Sequence, residues 1–222
     1  MWRGPNINSS KIPGLHRGFF LNCYLGVMEM KPLIIGFAGG SASGKSTICL
    51  KLKTLLEPYL SVTLINGDCY YKEKLPNTTA PFTGKLYVEY NHPDVMDFEA
   101  MDSAIIEEVK KNPDVILIEQ AMLFCCEKIR NRLDGKVYVD CQADERLARR
   151  LKRNMEYGQD FEEILSYCLD SVRYRYDEFV APTRWYADII LNGSSMPQNG
   201  TEMIAAWIQR KATEQKREKT SL

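Results

Sequence analysis

An α/β fold, an open parallel sheet of five strands with helices on both faces and a small helical lid, is predicted by three features of this 222-residue sequence. Short apolar runs alternate along it with helical patterns. The first run leads into a glycine- and serine-rich loop, and two later runs meet an acidic residue at their ends. Runs that are apolar throughout suit parallel strands buried on both faces, and such sheets gather ligands at the carboxyl ends of their strands.

The first strand is expected at Leu33 to Ala38, followed by Gly39, Gly40, Ser41, Ala42, Ser43, Gly44, Lys45, Ser46 and Thr47 and a helical pattern from Ile48 to Leu56. This is GxxxxGK[ST] between a strand and a helix, which reads as the phosphate-binding loop of a P-loop NTPase fold. Its glycines let the backbone curl so that N–H groups point at phosphates, Lys45 adds a point charge, and Ser46 offers a hydroxyl to Mg²⁺. The helix N-terminus adds partial positive charge. A nucleoside triphosphate is the implied ligand.

Val62 to Asn66 reads as the second strand, closed by the turn Gly67-Asp68, and the Pro/Thr/Gly-rich stretch from Leu75 to Gly84 reads as an exposed loop. Phe98, Met101, Ile105 and Val109 give Phe98 to Lys110 a helical apolar face. Val115 to Glu119 is the third strand. A short helix from Glu127 to Leu133 leads to the strand Lys136 to Asp140, a long basic helix from Asp144, and a further helix from Phe161 to Phe179. Ala187 to Leu191 is the last strand, and Thr201 to Lys211 the last helix. The predicted organisation is a leader over 1–30, one domain over 31–211 and a charged tail over 212–222.

Lys+Arg and Asp+Glu both total 29, so no overall field draws the protein to nucleic acid or to an anionic membrane. The seven cysteines form no CxxC pair, which suits reduced thiols in a cytoplasmic compartment. Residues 1–28 lack Asp and Glu, carry Arg3, Lys11 and Arg17, and end in an apolar stretch too short to span a bilayer. They read as a dispensable leader, with organellar targeting as the alternative.

Asp68, just past the second strand, is a candidate general base facing a hydroxyl that awaits a phosphoryl group; the alternative is a turn-forming Asp. Glu119 is a candidate Mg²⁺ residue, or an ordinary acid leaving a strand. Arg146, Arg150 and Arg153 recur at helical spacing as one cationic stripe. A lid that clamps triphosphate charge, a solvated helix face and a nucleic-acid face are its three readings.

These residues resemble the uridine kinase and phosphoribulokinase group. The matching pieces are Gly39 to Ser46, Asp68 with Tyr71, His92-Pro93-Asp94 with Asp97-Phe98, Asp114 to Glu119, Ala143 through Arg153, and Ala181-Pro182-Thr183 with Tyr186-Ala187-Asp188. The resemblance implies ATP or GTP as donor, a ribose 5′-hydroxyl as acceptor, Asp68 as base, Ser46 and Glu119 around Mg²⁺, Arg150 and Arg153 as lid cations, and a homo-oligomer. Tyr71, Asn91, His92 and Tyr167 fall on its acceptor side.

Four departures lie mostly there. The Asp94 to Glu119 span is shorter than in the group and shows no counterpart of its pyrimidine-binding hairpin. Asn91 replaces the usual ribose-binding acid, Tyr157 and Gln159 replace lid arginines, and Tyr167 and Gln120 replace a glutamine and a glycine. His92 suits either the acceptor pocket or a turn before proline. The expectation is an ATP-dependent kinase of a nucleoside, with uridine or cytidine leading. Nicotinamide riboside, pantothenate or a sugar alcohol is the alternative acceptor, and a non-catalytic nucleotide-binding protein the alternative class. No nucleic-acid or membrane partner is expected.

Overall fold

Side chains alternate across a strand, so Leu33, Ile35 and Phe37 serve one face of the first strand while Ile34 and Ala38 serve the other. A computed structural model describes residues 31–195 and 197–220, and the expected leader with its targeting alternative lies outside them. The chain runs β1 (Leu33–Ala38), α1 (Lys45–Leu56), β2 (Val62–Asn66), β3 (Asn77–Thr79), β4 (Leu86–Val88), α2 (Phe98–Lys110), β5 (Val115–Glu119), α3 (Glu127–Arg130) and β6 (Gly135–Asp140). It continues through α4 (Ala143–Glu156), α5 (Phe161–Tyr167), α6 (Arg173–Arg175), β7 (Ile189–Asn192) and α7 (Gln198–Thr220).

Five strands form the expected parallel sheet, in the order β2-β5-β1-β6-β7. On one face Ile35, Phe37, Leu117 and Val139 pack against Ile48 and Leu52 of α1 and Ile208 of α7. On the other, Ile34, Ile116, Ile118 and Tyr138 pack against Met101 and Ile105 of α2 and against Phe124 and Ile129. No helix among the described residues is long and apolar enough to cross a membrane.

Two expectations change here. The Leu75 to Gly84 stretch is not a plain loop: Asn77 pairs with Val88, Thr78 with Tyr87 and Thr79 with Leu86 in an antiparallel hairpin, β3–β4. Its turn closes through Ala80 N donating to Lys85 O at 2.8 Å and Gly84 N donating to Ala80 O at 3.0 Å. The span from Asp94 to Glu119 holds a one-turn 3₁₀ segment, α2 and β5. The last helix does not stop at Lys211 but runs to Thr220, because Ala212 is buried in the core and Glu214 accepts from both Arg210 and Lys211.

The helix expected over Phe161 to Phe179 is continuous but irregular. Cys168–Val172 and Tyr176–Val180 are π-helical turns on either side of α6, and a 3₁₀ segment, Ala181–Tyr186, follows.

Between α2 and α3 the nearly buried carboxylate of Asp102 accepts from Arg132 Nε and, at 2.9 Å, Nη2, with Lys128 Nζ at 3.1 Å. The Arg132 hydrogen bond holds the Asp102 carboxyl below its ordinary pKa. A folded pKa below the unfolded value of about 3.9 contributes stability that is present above that value and lost as pH falls through the folded one. Asp102→Asn is therefore expected to cost about 1–3 kcal/mol at pH 7, with the gap to the wild type narrowing towards pH 3. Urea unfolding at the two pH values measures it, and a gap that does not change with pH would refute the assignment.

Candidate active site

The loop between β1 and α1 takes the shape its glycines permit. Gly44 has φ +102°, a left-handed conformation that suits glycine, and it places Lys45 at the first position of α1. Ala42 holds φ +63° without being glycine, a local strain of the kind found at ligand-binding loops. Lys45 is buried, and its ammonium donates to Gly40 O at 3.0 Å. Burial lowers its pKa, opposed by the carboxylates of Glu119 and Asp68. Ser43 Oγ is fully buried and has no hydrogen-bond partner among the described residues, which suits a loop whose partner is a ligand oxygen.

Ser46 Oγ donates to Glu119 Oε1 at 2.7 Å. A hydroxyl and a carboxylate side by side are the hard oxygen donors that Mg²⁺ takes, and it leaves its other positions to water and phosphate. Among the described residues no cluster of three or more His, Cys, Asp or Glu could hold a metal ion.

The turn after β2 is closed by Asn66, whose Oδ1 accepts from Asp68 N at 2.9 Å. The carboxylate of Asp68 is therefore free of the turn. It is exposed to the cleft and takes one long hydrogen bond, 3.4 Å, from Gln120 Nε2. Gln120 is buried, and its Oε1 accepts from Met122 N. This residue, which differs from the glycine of the resembling group, orients the acid.

Tyr71 Oη donates to Tyr90 O at 3.1 Å, and Tyr167 Oη donates to Val88 O at 3.2 Å while accepting from Asn91 Nδ2 at 2.7 Å. Burial pushes the Tyr167 hydroxyl up to about 12 and raises that of Tyr71, so both stay protonated at neutral pH. His92 takes the turn alternative: its Nδ1 accepts from Asp94 N at 3.1 Å, its ring meets Phe179 edge-on at 4.4 Å, and it does not line the cleft.

The cleft encloses about 880 Å³ and brings together Gly40 to Thr47 of the loop, without Gly39, and Asp68, Tyr71, Asn91 and Glu119. Four arginines of α4 face it: Arg146, Arg149, Arg150 and Arg153. With Lys45 they set five cations against two carboxylates, the field a triphosphate requires. Arg146 lies against Gly40 and over the Tyr176 ring at 3.8 Å. The guanidinium of Arg150 stands 5.6 Å from the Tyr167 ring, and its buried Nε has no hydrogen-bond partner among the described residues. All three arginines of the stripe line the cleft, Arg153 being also exposed to solvent. Tyr167 lies in the neighbouring cavity, where Tyr90 and Arg150 are shared walls.

Arg149, missing from the predicted stripe, stands three residues past Arg146 and four before Arg153 on the same helix face. Its Nη1 donates to Gly193 O at 2.9 Å and its Nη2 to Ser194 O at 2.9 Å, tying α4 to the loop after β7, and Glu145 accepts from it one turn back. Gly193, Ser195 and Pro197 close the cleft there. The signal available was position, since Gly193 and Ser195 follow the last strand, where ligands gather.

A family model for the Phosphoribulokinase / Uridine kinase family matches residues 89–202. The uridine kinase of Lactobacillus helveticus (strain DPC 4571) is 31% identical over 205 residues, covering 82% of this chain and 93% of the relative. That of Anoxybacillus flavithermus (strain DSM 21510 / WK1) is 32% identical over 202 residues, covering 80% and 92%. A solved fructose transport system kinase candidate from Silicibacter sp. TM1040 matches with TM-score 0.54 at 14% identity over 77% of this chain and 94% of that one, a likeness of fold alone.

Arg149 and Arg150 are neighbours with different work. Arg149→Met leaves two backbone carbonyls without their donor and is expected to cost about 1–3 kcal/mol of folding stability in the ligand-free protein. Arg150→Met removes only a cation–π contact and is expected to cost less than about 1 kcal/mol. Parallel urea titrations compare them, and equal losses would show that Arg149 is not a structural tie.

Proposed function

The chain belongs to the phosphoribulokinase/uridine kinase family, and from that premise we propose that it transfers the γ-phosphoryl group of ATP to the 5′-hydroxyl of a nucleoside, uridine or cytidine first. It is a phosphotransferase that acts on an alcohol group. The observation that carries the finer reading is the carboxylate of Asp68, freed from its turn by Asn66 and exposed in the same cleft as Lys45, Ser46 and Glu119.

In this reading the acceptor oxygen bonds to the γ-phosphorus as the bond to the β–γ bridging oxygen breaks, and the hydroxyl proton passes to Asp68. Gln120 keeps the acid turned to the cleft. Lys45, Arg150 and Arg153 meet the charge spread over the transferring group, where fixed cations in a water-poor cleft act most strongly. Backbone N–H groups of Gly39 to Thr47 cradle the donor phosphates. Ser46 and Glu119 would hold Mg²⁺, which when bound neutralises phosphate charge. Tyr71 and Asn91 stand on the acceptor side. All six described cysteines are free thiols, in keeping with the cytoplasmic location we propose.

A second acceptor class, nicotinamide riboside, pantothenate or a sugar alcohol, is favoured by one observation, the absence of a hairpin between Asp94 and Glu119. A screen of the purified protein with ATP and Mg²⁺ against nucleosides and these alcohols separates the two. With the best acceptor, Asp68→Asn is expected to lower kcat by about 10²–10⁴-fold at unchanged ATP affinity, read by steady-state kinetics and calorimetry. Wild-type turnover in that variant would return Asp68 to the role of a turn residue.

A further inference from the structure

A second cavity, of about 750 Å³, opens beside the cleft between the hairpin β3–β4 and the helices α4 and α5. The two cavities share Tyr90 and Arg150 as walls, so they meet where the acceptor side of the cleft ends. Its deeper wall is aromatic: the rings of Tyr87, on β4, and Tyr167, at the end of α5, lie 5.3 Å apart at 46°. Lys85, Glu162 and Glu163 at its edge are exposed and have long side chains.

The hairpin that closes this cavity is held in place from one side. Thr83 and Tyr87 both donate to Asp170 Oδ2, at 3.0 and 2.7 Å, and Arg175 donates to Thr78 Oγ1 at 3.1 Å. Arg175 also donates at 2.8 Å to Glu89, a buried carboxylate just past β4. Phe82 at the turn packs on Tyr174 with ring centroids 5.4 Å apart. Hairpin and helix thus form one wall, and the hairpin presents Tyr87 to the cavity while Tyr167 reaches it from the helix.

We propose that this cavity is a ring-binding chamber: the hairpin β3–β4 supplies, from a different part of the chain, a stacking surface for the heteroaromatic ring of the acceptor. The inference rests on the nucleoside reading above. An acceptor whose hydroxyl lies at Asp68 and whose sugar lies by Tyr71 and Asn91 carries its ring past Tyr90 and Arg150 into the chamber. Stacking on tyrosine faces tolerates any base, because every base has a π-face. Lys85, Glu162 and Glu163 at the edge are exposed, and Asn154, whose Nδ2 donates to Gln159 Oε1 at 2.6 Å, makes a polar pair held in place on this wall, so discrimination among rings is expected to be small.

Steady-state kinetics with uridine test the chamber. Tyr87→Ala is expected to raise KM for uridine by about 10- to 100-fold with little change in kcat or in KM for ATP. Tyr87→Phe, which keeps the ring and loses only the bond to Asp170, is expected to restore KM to within about threefold of wild type, since the ring carries the stacking. A Tyr87→Phe loss as large as that of Tyr87→Ala would overturn the proposal, because the tyrosine would then serve only to dock the hairpin. An unchanged KM in Tyr87→Ala would overturn it too. Should Tyr87→Ala fail to fold, Ser166→Trp fills the chamber from α5 and is expected to raise the same KM; no effect there counts against the chamber. Wild-type kcat/KM for uridine, cytidine and adenosine is expected to fall within about 100-fold, and a spread beyond about 10⁴ would mark a hydrogen-bonding template instead. A wild type that phosphorylates no nucleoside overturns the functional reading itself, whereas turnover of uridine with KM indifferent to Tyr87 overturns the chamber alone.

Discussion

The level register of three parallel strands underlies everything in the cleft. Phe37 of β1, Glu119 of β5 and Asn66 of β2 stand side by side at the carboxyl edge of the sheet. That alignment sets the phosphate loop, the acid beside Ser46 and the turn bearing Asp68 along one line. A slip of one residue in β5 would send Glu119 to the opposite face and bring an apolar side chain to Ser46. The register is held by the core, because β5 is buried on both faces and its alternate residues fit two different sets of helices. Hydrophobic packing thus fixes the position of a charged group that packing does not itself touch.

The two halves of the cleft are made of different material. The half around the loop is mostly backbone: a turn curled by glycine, a helix start, and carbonyls tied down by Arg149. The other half is mostly side chains: Tyr71 is tied to the Tyr90 carbonyl, and Asn91 to Tyr167 of the adjoining cavity, which itself donates to Val88 at the β4 end of the hairpin. A backbone site can be recognised from its glycines and their spacing. A side-chain site depends on which segments the fold brings together, and those segments are far apart in sequence.

That difference explains what was legible in advance. The five apolar runs announce themselves because parallel strands covered on both faces must be apolar throughout, and the phosphate loop because few backbones other than glycine-rich ones can curl so tightly. The hairpin was hidden: Asn77, Thr78 and Thr79 are polar, each strand is three residues long, and Gly84 within the turn reads as a loop signal. Its order comes from Asp170 and Arg175, nearly a hundred residues downstream. Arg149, three residues past Arg146 and four before Arg153, shares their helix face, but its partners lie beyond the last strand, which spacing does not name. His92 was ambiguous because a histidine before proline caps a turn or meets a ligand equally well, and only the Phe179 ring beside it decides. The last helix outran its apolar pattern because ion pairs, which periodicity does not weigh, carry it on past Lys211.

Val172, Tyr176 and Val180 line the cleft at intervals of four residues, on the helical run that contains both π turns. In a regular α-helix each such interval advances about 40° around the axis, so Val180 would stand about 80° away from Val172. A π turn takes in an extra residue for the same circuit and holds such a series in line. The run therefore tolerates a change of length that a regular helix would not. Removing one residue from a regular α-helix swings every later side chain about 100° around the axis, whereas a π turn takes up the difference within its own circuit and leaves the later wall residues in phase with the phosphate loop. Two homologues could accordingly differ by one residue in this run and keep the same wall.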